Sequence, residues 1–228
     1  MITLLTATGC RPDAWALCER WMMAQTYAGP VRWVIVDDGE EAQPITARRH
    51  GWHIDIVRPR PYWKPGDNTQ ARNILAGLAV IGVDERVVII EDDDHYKPDW
   101  LRVVDRELEK GELVGEFLAR YYNVETRKGR QLRNDRHASL CSTAVRGRGL
   151  AALRVACQQR PKFIDLALWN NFRPHHLFGG HRVTGIKGLP GRGGIGMGHR
   201  SEFRGTDDPS GVLLRDWIGS DANRYIKE

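Results

Sequence analysis

No stretch of this sequence approaches the ~20 consecutive apolar residues that a membrane-crossing helix needs. None of its four cysteines, Cys10, Cys18, Cys141 and Cys157, falls in a C-x-x-C pair or at a metal-ligand spacing. They read as reduced thiols of an intracellular chain, not as a disulfide framework or a zinc site. Met1 runs directly into a strand-like segment, which leaves no room for a signal peptide, so the expected location is cytoplasmic, with no membrane partner. There is no internal repeat. The 41% of hydrophobic residues excludes a disordered composition. What the chain has in slight excess is positive charge, 34 Lys+Arg against 29 Asp+Glu for a net +5, which suits a polyanionic partner without requiring one.

At 228 residues the chain is long enough for one sizeable core, and a single domain is expected. The first half alternates two periods. "ITLLTAT" (2–8) is a β-branched apolar run, and the residues after it place Trp15, Cys18, Met22 and Met23 at helical spacing behind Pro12. "VRWVIVDDG" (31–39) and "WHIDIVRP" (52–59) read as the next strands. Ala71, Ile74, Leu75, Leu78 and Ile81 draw a helical stripe, and "RVVII" (86–90) is a fourth strand. A helix opens near Pro98, with Leu101, Val104 and Leu108 on one face, and stops at Gly111. Strands and helices alternating in this way predict an α/β fold with a mainly parallel sheet flanked by helices. The second half is less regular: a strand over 112–123, a basic turn or hairpin tip at 127–137, helices over 149–159 and 163–172, and a glycine-rich run over 185–200 that reads as a mobile lid.

In such a sheet ligands bind outside the carboxyl ends of the strands. Two of those ends are acidic, Asp37-Asp38 and Glu91-Asp92-Asp93-Asp94. Neighbouring carboxylates repel unless a cation sits among them, and hard oxygen ligands suit Mg²⁺ or Mn²⁺ together with a substrate diphosphate. The plainer alternative is that the second cluster complements the positive end of the helix near Pro98, although a helix end needs one acid and this stretch supplies four.

With "VRWVIVDDG" followed by "QARNILAGLAVIGVDERVVIIEDDDHYKPDWL" (70–101), the chain resembles glycosyltransferase family 2 and its GT-A fold. The resemblance covers residues 1–101 well, as a nucleotide-sugar-binding half; 102–184 would form the acceptor side and 185–228 the lid and C-terminal segment. It implies a UDP-sugar donor held by Thr6, Asp37, Asp38, Arg72, Glu91, Asp92, Arg192 and Arg200, with Asp37 on the uracil and Asp38 close behind it. It implies Mn²⁺ or Mg²⁺ on Asp93, with Asp94 and His199 as further ligands and His95 as a weaker candidate. Glu91 departs from the family's usual Asp. In "FIDLALWNNF" the resemblance makes Asp165 the base of an inverting transfer, although Asp165 also suits a helix N-terminus on its own account.

The acceptor is less legible. Arg127, Lys128, Arg130, Arg133 and Arg136 put five positive charges in ten residues, with His137, Arg146 and Arg148 following. Trp63, Tyr121, Tyr122 and Trp169 could stack on a base. A hydroxylated base in DNA, as in hypermodified viral DNA, is one acceptor that fits; a saccharide or protein hydroxyl is another. Clustered acids on a basic chain also leave open a sugar-nucleotide nucleotidyltransferase, a metal-dependent nuclease and a DNA-binding module. "ATGCRPD" offers little of the Gly-rich basic loop the first would carry.

Overall fold

The computed structural model describes residues 1–194, 196–199 and 202–226. Its main sheet has seven strands in the order β10-β6-β9-β4-β1-β2-β3. The four strands read in the first half are all there: β1 (Ile2–Thr8), β2 (Val31–Asp37), β3 (Trp52–Val57) and β4 (Arg86–Ile89). They pair in parallel, with β1 between β2 and β4, so that Thr8 lies opposite Asp37 and both acidic strand ends open on one rim. Beyond β4, the short β9 (Thr143–Val145) runs antiparallel between β4 and β6 (Leu113–Glu116), and β10 (His176–Phe178) closes the edge in parallel with β6.

Alternate residues of the central strands feed two apolar layers. Leu4, Trp33 and Val88 point into one, covered by α1 (Pro12–Met23) and α3 (Trp100–Glu107). Leu5, Val34 and Val87 point into the other, covered by α2 (Gln70–Ala79), α4 (Arg148–Gln159) and α5 (Ile164–Asn171). Burial on both faces is why these strands read as nearly unbroken apolar runs.

The span 112–123, expected as one strand, breaks at Phe117. Its first part is β6, and its second, β7 (Leu118–Asn123), crosses into a five-stranded sheet ordered β12-β8-β7-β11-β5. That sheet contains β5 (His95–Tyr96), β8 (Lys128–Arg133), β11 (Val183–Lys187) and β12 (Thr206–Asp207), mostly antiparallel. A last helix, α6 (Val212–Ile218), which had no signal in the periodicity, packs Trp217 edge-on against Tyr122 of β7. Because β4 belongs to the main sheet and β5 to the second, the acidic turn 91–94 is the junction between the two.

Gly115 on β6 shows how tightly α5 is packed against the sheet. A Cβ there would stand 2.7 Å from the Ser142 carbonyl oxygen and 2.9 Å from the Trp169 ring of α5. Gly115→Ala should therefore destabilise the fold by about 1–3 kcal/mol through overpacking, read as a lower urea midpoint; an unchanged midpoint would mean that α5 is free to give way.

Candidate active site

The acidic turn survives burial because protein cations reach into it. Gly9, with φ +137°, carries the chain across the Asp38-Gly39 corner, where a side chain would strike the Gly39 nitrogen at 2.6 Å. That path delivers Arg11 to the turn just before Pro12 opens α1. Its guanidinium donates to Asp92 Oδ1 at 2.7 Å and to Asp93 Oδ2 at 2.9 Å, while the Thr8 hydroxyl donates to Asp92 Oδ2 at 2.7 Å. From the other side comes Lys187. Strand β11 runs antiparallel to β5, pairing Thr184 with His95, so its next residues pass the turn. The Ile186 amide and the Lys187 ammonium both donate to Asp94 Oδ1 at 2.9 Å, and Lys187 Nζ lies 3.7 Å from Asp93 Oδ2.

Electrostatics follow from these contacts. Burial acts to raise the Asp93 carboxyl, but Lys187 and Arg11 outweigh it and hold the group ionised, below the usual carboxylate range. Glu91 has no such partner and accepts instead from the Gln70 amide at 2.5 Å; burial, with Asp94 nearby, pushes it up to about 8. His199 is pushed down to about 4 by burial and by the Lys187 charge, so its imidazole is neutral. Its Nδ1 accepts from the Gly194 amide at 3.3 Å, which leaves the proton on Nε2, 3.6 Å from Asp93 Oδ2.

The second acidic end is organised around Asp38. This buried carboxylate receives Arg192 at 2.6 Å, Arg72 at 3.1 Å and the Thr69 hydroxyl. Arg192 also donates to Thr69 Oγ1 at 2.6 Å and stacks over the Trp63 ring at 4.7 Å, which pins the glycine-rich run to the segment 63–69 ahead of α2. Asp37 turns away: it accepts from the Gly39 and Gln43 amides at 2.9 Å each and shapes the loop after β2.

Between these groups lies a cleft of about 240 Å³. Thr8, Arg11, Glu91, Asp92, Asp93, Lys187, Arg192 and His199 line it together with Tyr121, Phe163 and Asp165. Asp165 sits in the first turn of α5; burial raises its carboxyl above the ordinary aspartate value, with His137 opposing. Phe163, just before that helix, adopts φ +80° and ψ +49°, a conformation uncommon for a side-chain-bearing residue, and leaves its ring 55% exposed at the mouth.

Several expected site residues are placed differently. Thr6 faces the core, where its hydroxyl accepts from the Trp33 indole at 2.9 Å, and Asp37 does not line the cleft. Arg72 reaches the site only through Asp38, and Asp94 lies beneath it, held by Lys187. His95 points away, 3.2 Å from Asp221 and edge-on to Trp21. Arg146 caps the Leu108 carbonyl at 2.7 Å and Arg148 pairs with Glu112 at 2.6 Å. Because β9 is antiparallel to β4, both lie at the amino end of β4, far from the acids. Tyr122 and Trp169 are core residues. Arg200 lies outside the described residues.

A divalent ion is poorly accommodated in this arrangement. Bound to Asp93 Oδ2 at about 2.1 Å, it would lie within about 6 Å of both Arg11 and Lys187, from their 2.9 and 3.7 Å contacts with that oxygen. At that range each cation repels it by about 5 kcal/mol or more for an effective dielectric near 20. The one group of possible ligands close enough together among the described residues, Glu91, Asp94 and Cys141, combines two carboxylates with a thiol, a softer ligand than Mg²⁺ or Mn²⁺ favours.

No protein-family model matches the sequence, and no curated protein does. Solved structures do match. The fold is GT-A. Residues 1–349 of S. aureus TarS in complex with UDP superpose with a TM-score of 0.57 at 10% identity, covering 82% of this chain and 60% of that one. The complex of the same TarS piece with UDP-GlcNAc gives 0.57 at 10% identity, over 90% and 62% of the two chains. A longer TarS structure gives 0.57 at 10% identity over 81% of this chain. The chain thus spans between 36% and 62% of the length of these neighbours.

Arg192→Ala should release the glycine-rich run while Arg72 keeps Asp38 paired. Losing a charge-assisted bond of roughly 1.5–3 kcal/mol should make limited proteolysis within 188–198 about tenfold faster or more, with circular dichroism unchanged. Equal cleavage rates would show that Arg192 is not what holds the run down.

Proposed function

We propose that the protein is a glycosyltransferase that moves a sugar from a UDP-sugar donor to an acceptor hydroxyl with inversion. The observation that carries this reading is one cleft of small-ligand size, at the strand ends of a GT-A sheet, that is lined both by cations and by a burial-raised carboxylate, Asp165. Support for the donor comes from the neighbours, whose crystals hold UDP and UDP-GlcNAc in the same fold.

In this reading Asp165 removes the proton from the acceptor hydroxyl as its oxygen attacks the anomeric carbon. The bond from that carbon to the diphosphate breaks, and its electron pair leaves with UDP. Arg11, Lys187 and Arg192 would face the oxygens on which negative charge grows, as cations already fixed along the cleft. A carboxyl raised by burial is better matched to this proton transfer than an exposed aspartate.

The acceptor we favour carries phosphates and a flat ring, as a hydroxylated base in DNA does. Arg130 lies opposite Tyr121 in the β7–β8 pairing and therefore shares its cleft-side face. Phe163 offers an exposed ring at the mouth with Arg160 and Lys162 close by in the chain, and among the described residues no acid pairs with Arg130, Arg160 or Lys162. Stacking on an aromatic ring together with phosphate attraction recognises such a ligand.

Incubation with UDP-sugars and candidate acceptors, hydroxymethylated DNA among them, should release UDP and add a glycosyl mass to the acceptor; released pyrophosphate would indicate nucleotidyl transfer instead. Asp165→Asn should bind UDP like the parent and lose about 10²–10⁴-fold in transfer rate, and near-normal turnover would assign the base elsewhere. The base acts only when ionised, so kcat/KM should fall as pH drops through the raised value of Asp165, at a pH above the ordinary aspartate value of about 3.9. A profile flat down to pH 4 would contradict this.

A further inference from the structure

Four of the six acids at the two strand ends are closely paired with bases. Asp38, Asp92, Asp93 and Asp94 are matched by Arg11, Arg72, Arg192 and Lys187, each within 3.1 Å of at least one of them. These carboxylates are therefore neutralised by the protein's own side chains, and Asp93 lies 2.9 Å from Arg11 and 3.7 Å from Lys187. We propose that Arg11 and Lys187 stand permanently where a divalent cation would otherwise be needed, so that the donor's diphosphate is bound by side chains without a metal ion. This rests on the UDP-sugar reading above.

Three further observations carry it. Both cations are fixed by the fold: Arg11 by the Gly9 crossing and the helix that starts behind it, Lys187 by the register of β11 against β5. Neither has an alternative place in solvent, being 12% and 8% exposed. Donor capacity remains on both, since Lys187 has three N–H groups with one hydrogen-bonded, to Asp94, and Arg11 has five with two committed. The glycine-rich run also packs on this lysine, because a Cβ at Gly198 would meet the Lys187 stem at 2.8 Å, so closing of the run and placement of the ammonium are coupled. A phosphate oxygen entering the cleft meets N–H donors already aligned and loses no ordered metal hydration shell.

The test is UDP binding by calorimetry on EDTA-treated protein, with and without added Mn²⁺. The expected result is an affinity in EDTA within about threefold of that with Mn²⁺. Lys187→Met, which keeps the stem and removes the charge, should bind UDP at least about tenfold more weakly in EDTA and regain affinity when Mn²⁺ is added, because Asp93 and Asp94 are then open to the ion. Wild-type binding that appears only with Mn²⁺ would overturn the proposal, and that arm requires no variant to fold. Lys187→Met binding UDP in EDTA as tightly as the wild type would overturn it too. Absence of UDP binding under both conditions would instead remove the donor reading, and this inference with it.

Discussion

The acidic turn between β4 and β5 is the point on which the molecule depends, because it joins two sheets and is buried at the same time. Three successive aspartates with 6% exposure or less are untenable unless positive charge is brought to them. The chain meets that demand from two directions. Arg11 arrives from the first strand-to-helix crossing and Lys187 from the end of β11, the neighbour of β5 in the second sheet. These salt bridges therefore tie residues near 10, near 93 and near 187 into one unit, and the cleft takes its shape from where those three segments meet.

Such a unit has an electrostatic character of its own. A buried ion pair contributes little net stability against an apolar substitute, yet removing one partner costs about 3–5 kcal/mol because the other stays behind uncompensated. The site is held by this asymmetry. Asp93 is kept ionised by its cations, Glu91 one turn earlier is driven toward its neutral form, and His199 is neutral beside both. Glu91 and Asp93, two residues apart in the same run, are thus shifted in opposite directions.

What could be read in the sequence follows the range of the interactions. The strands and helices of the first half were legible because burial of β1, β2 and β4 on both faces writes unbroken apolar runs, and α1 and α2 write 3.6-residue stripes. The acidic strand ends were legible because parallel strands align their carboxyl ends. Arg11 and Lys187 were missed, since a lone arginine in a loop and a lysine ending a short strand carry no periodic signal; a basic residue two positions after the glycine that follows β1 was the one clue. Asp37 and Asp38 could not be told apart, because the Gly9 crossing decides which of them faces the crowded corner. The basic run looked continuous only in one dimension: β9 carries Arg146 and Arg148 to the opposite end of the sheet while Arg130 stays beside Tyr121.

The glycine-rich run then has a definite mechanical part. Arg192, stacked on the Trp63 ring, is satisfied by Asp38 and Thr69, while Gly198 rests on the Lys187 stem and His199 approaches Asp93. None of the contacts just named is with Asp165 or Phe163. A ligand that displaces these side chains must replace their charge pairs, whereas one that meets only Phe163 need not. The residues that line the cleft are therefore unequal in how firmly the fold holds them.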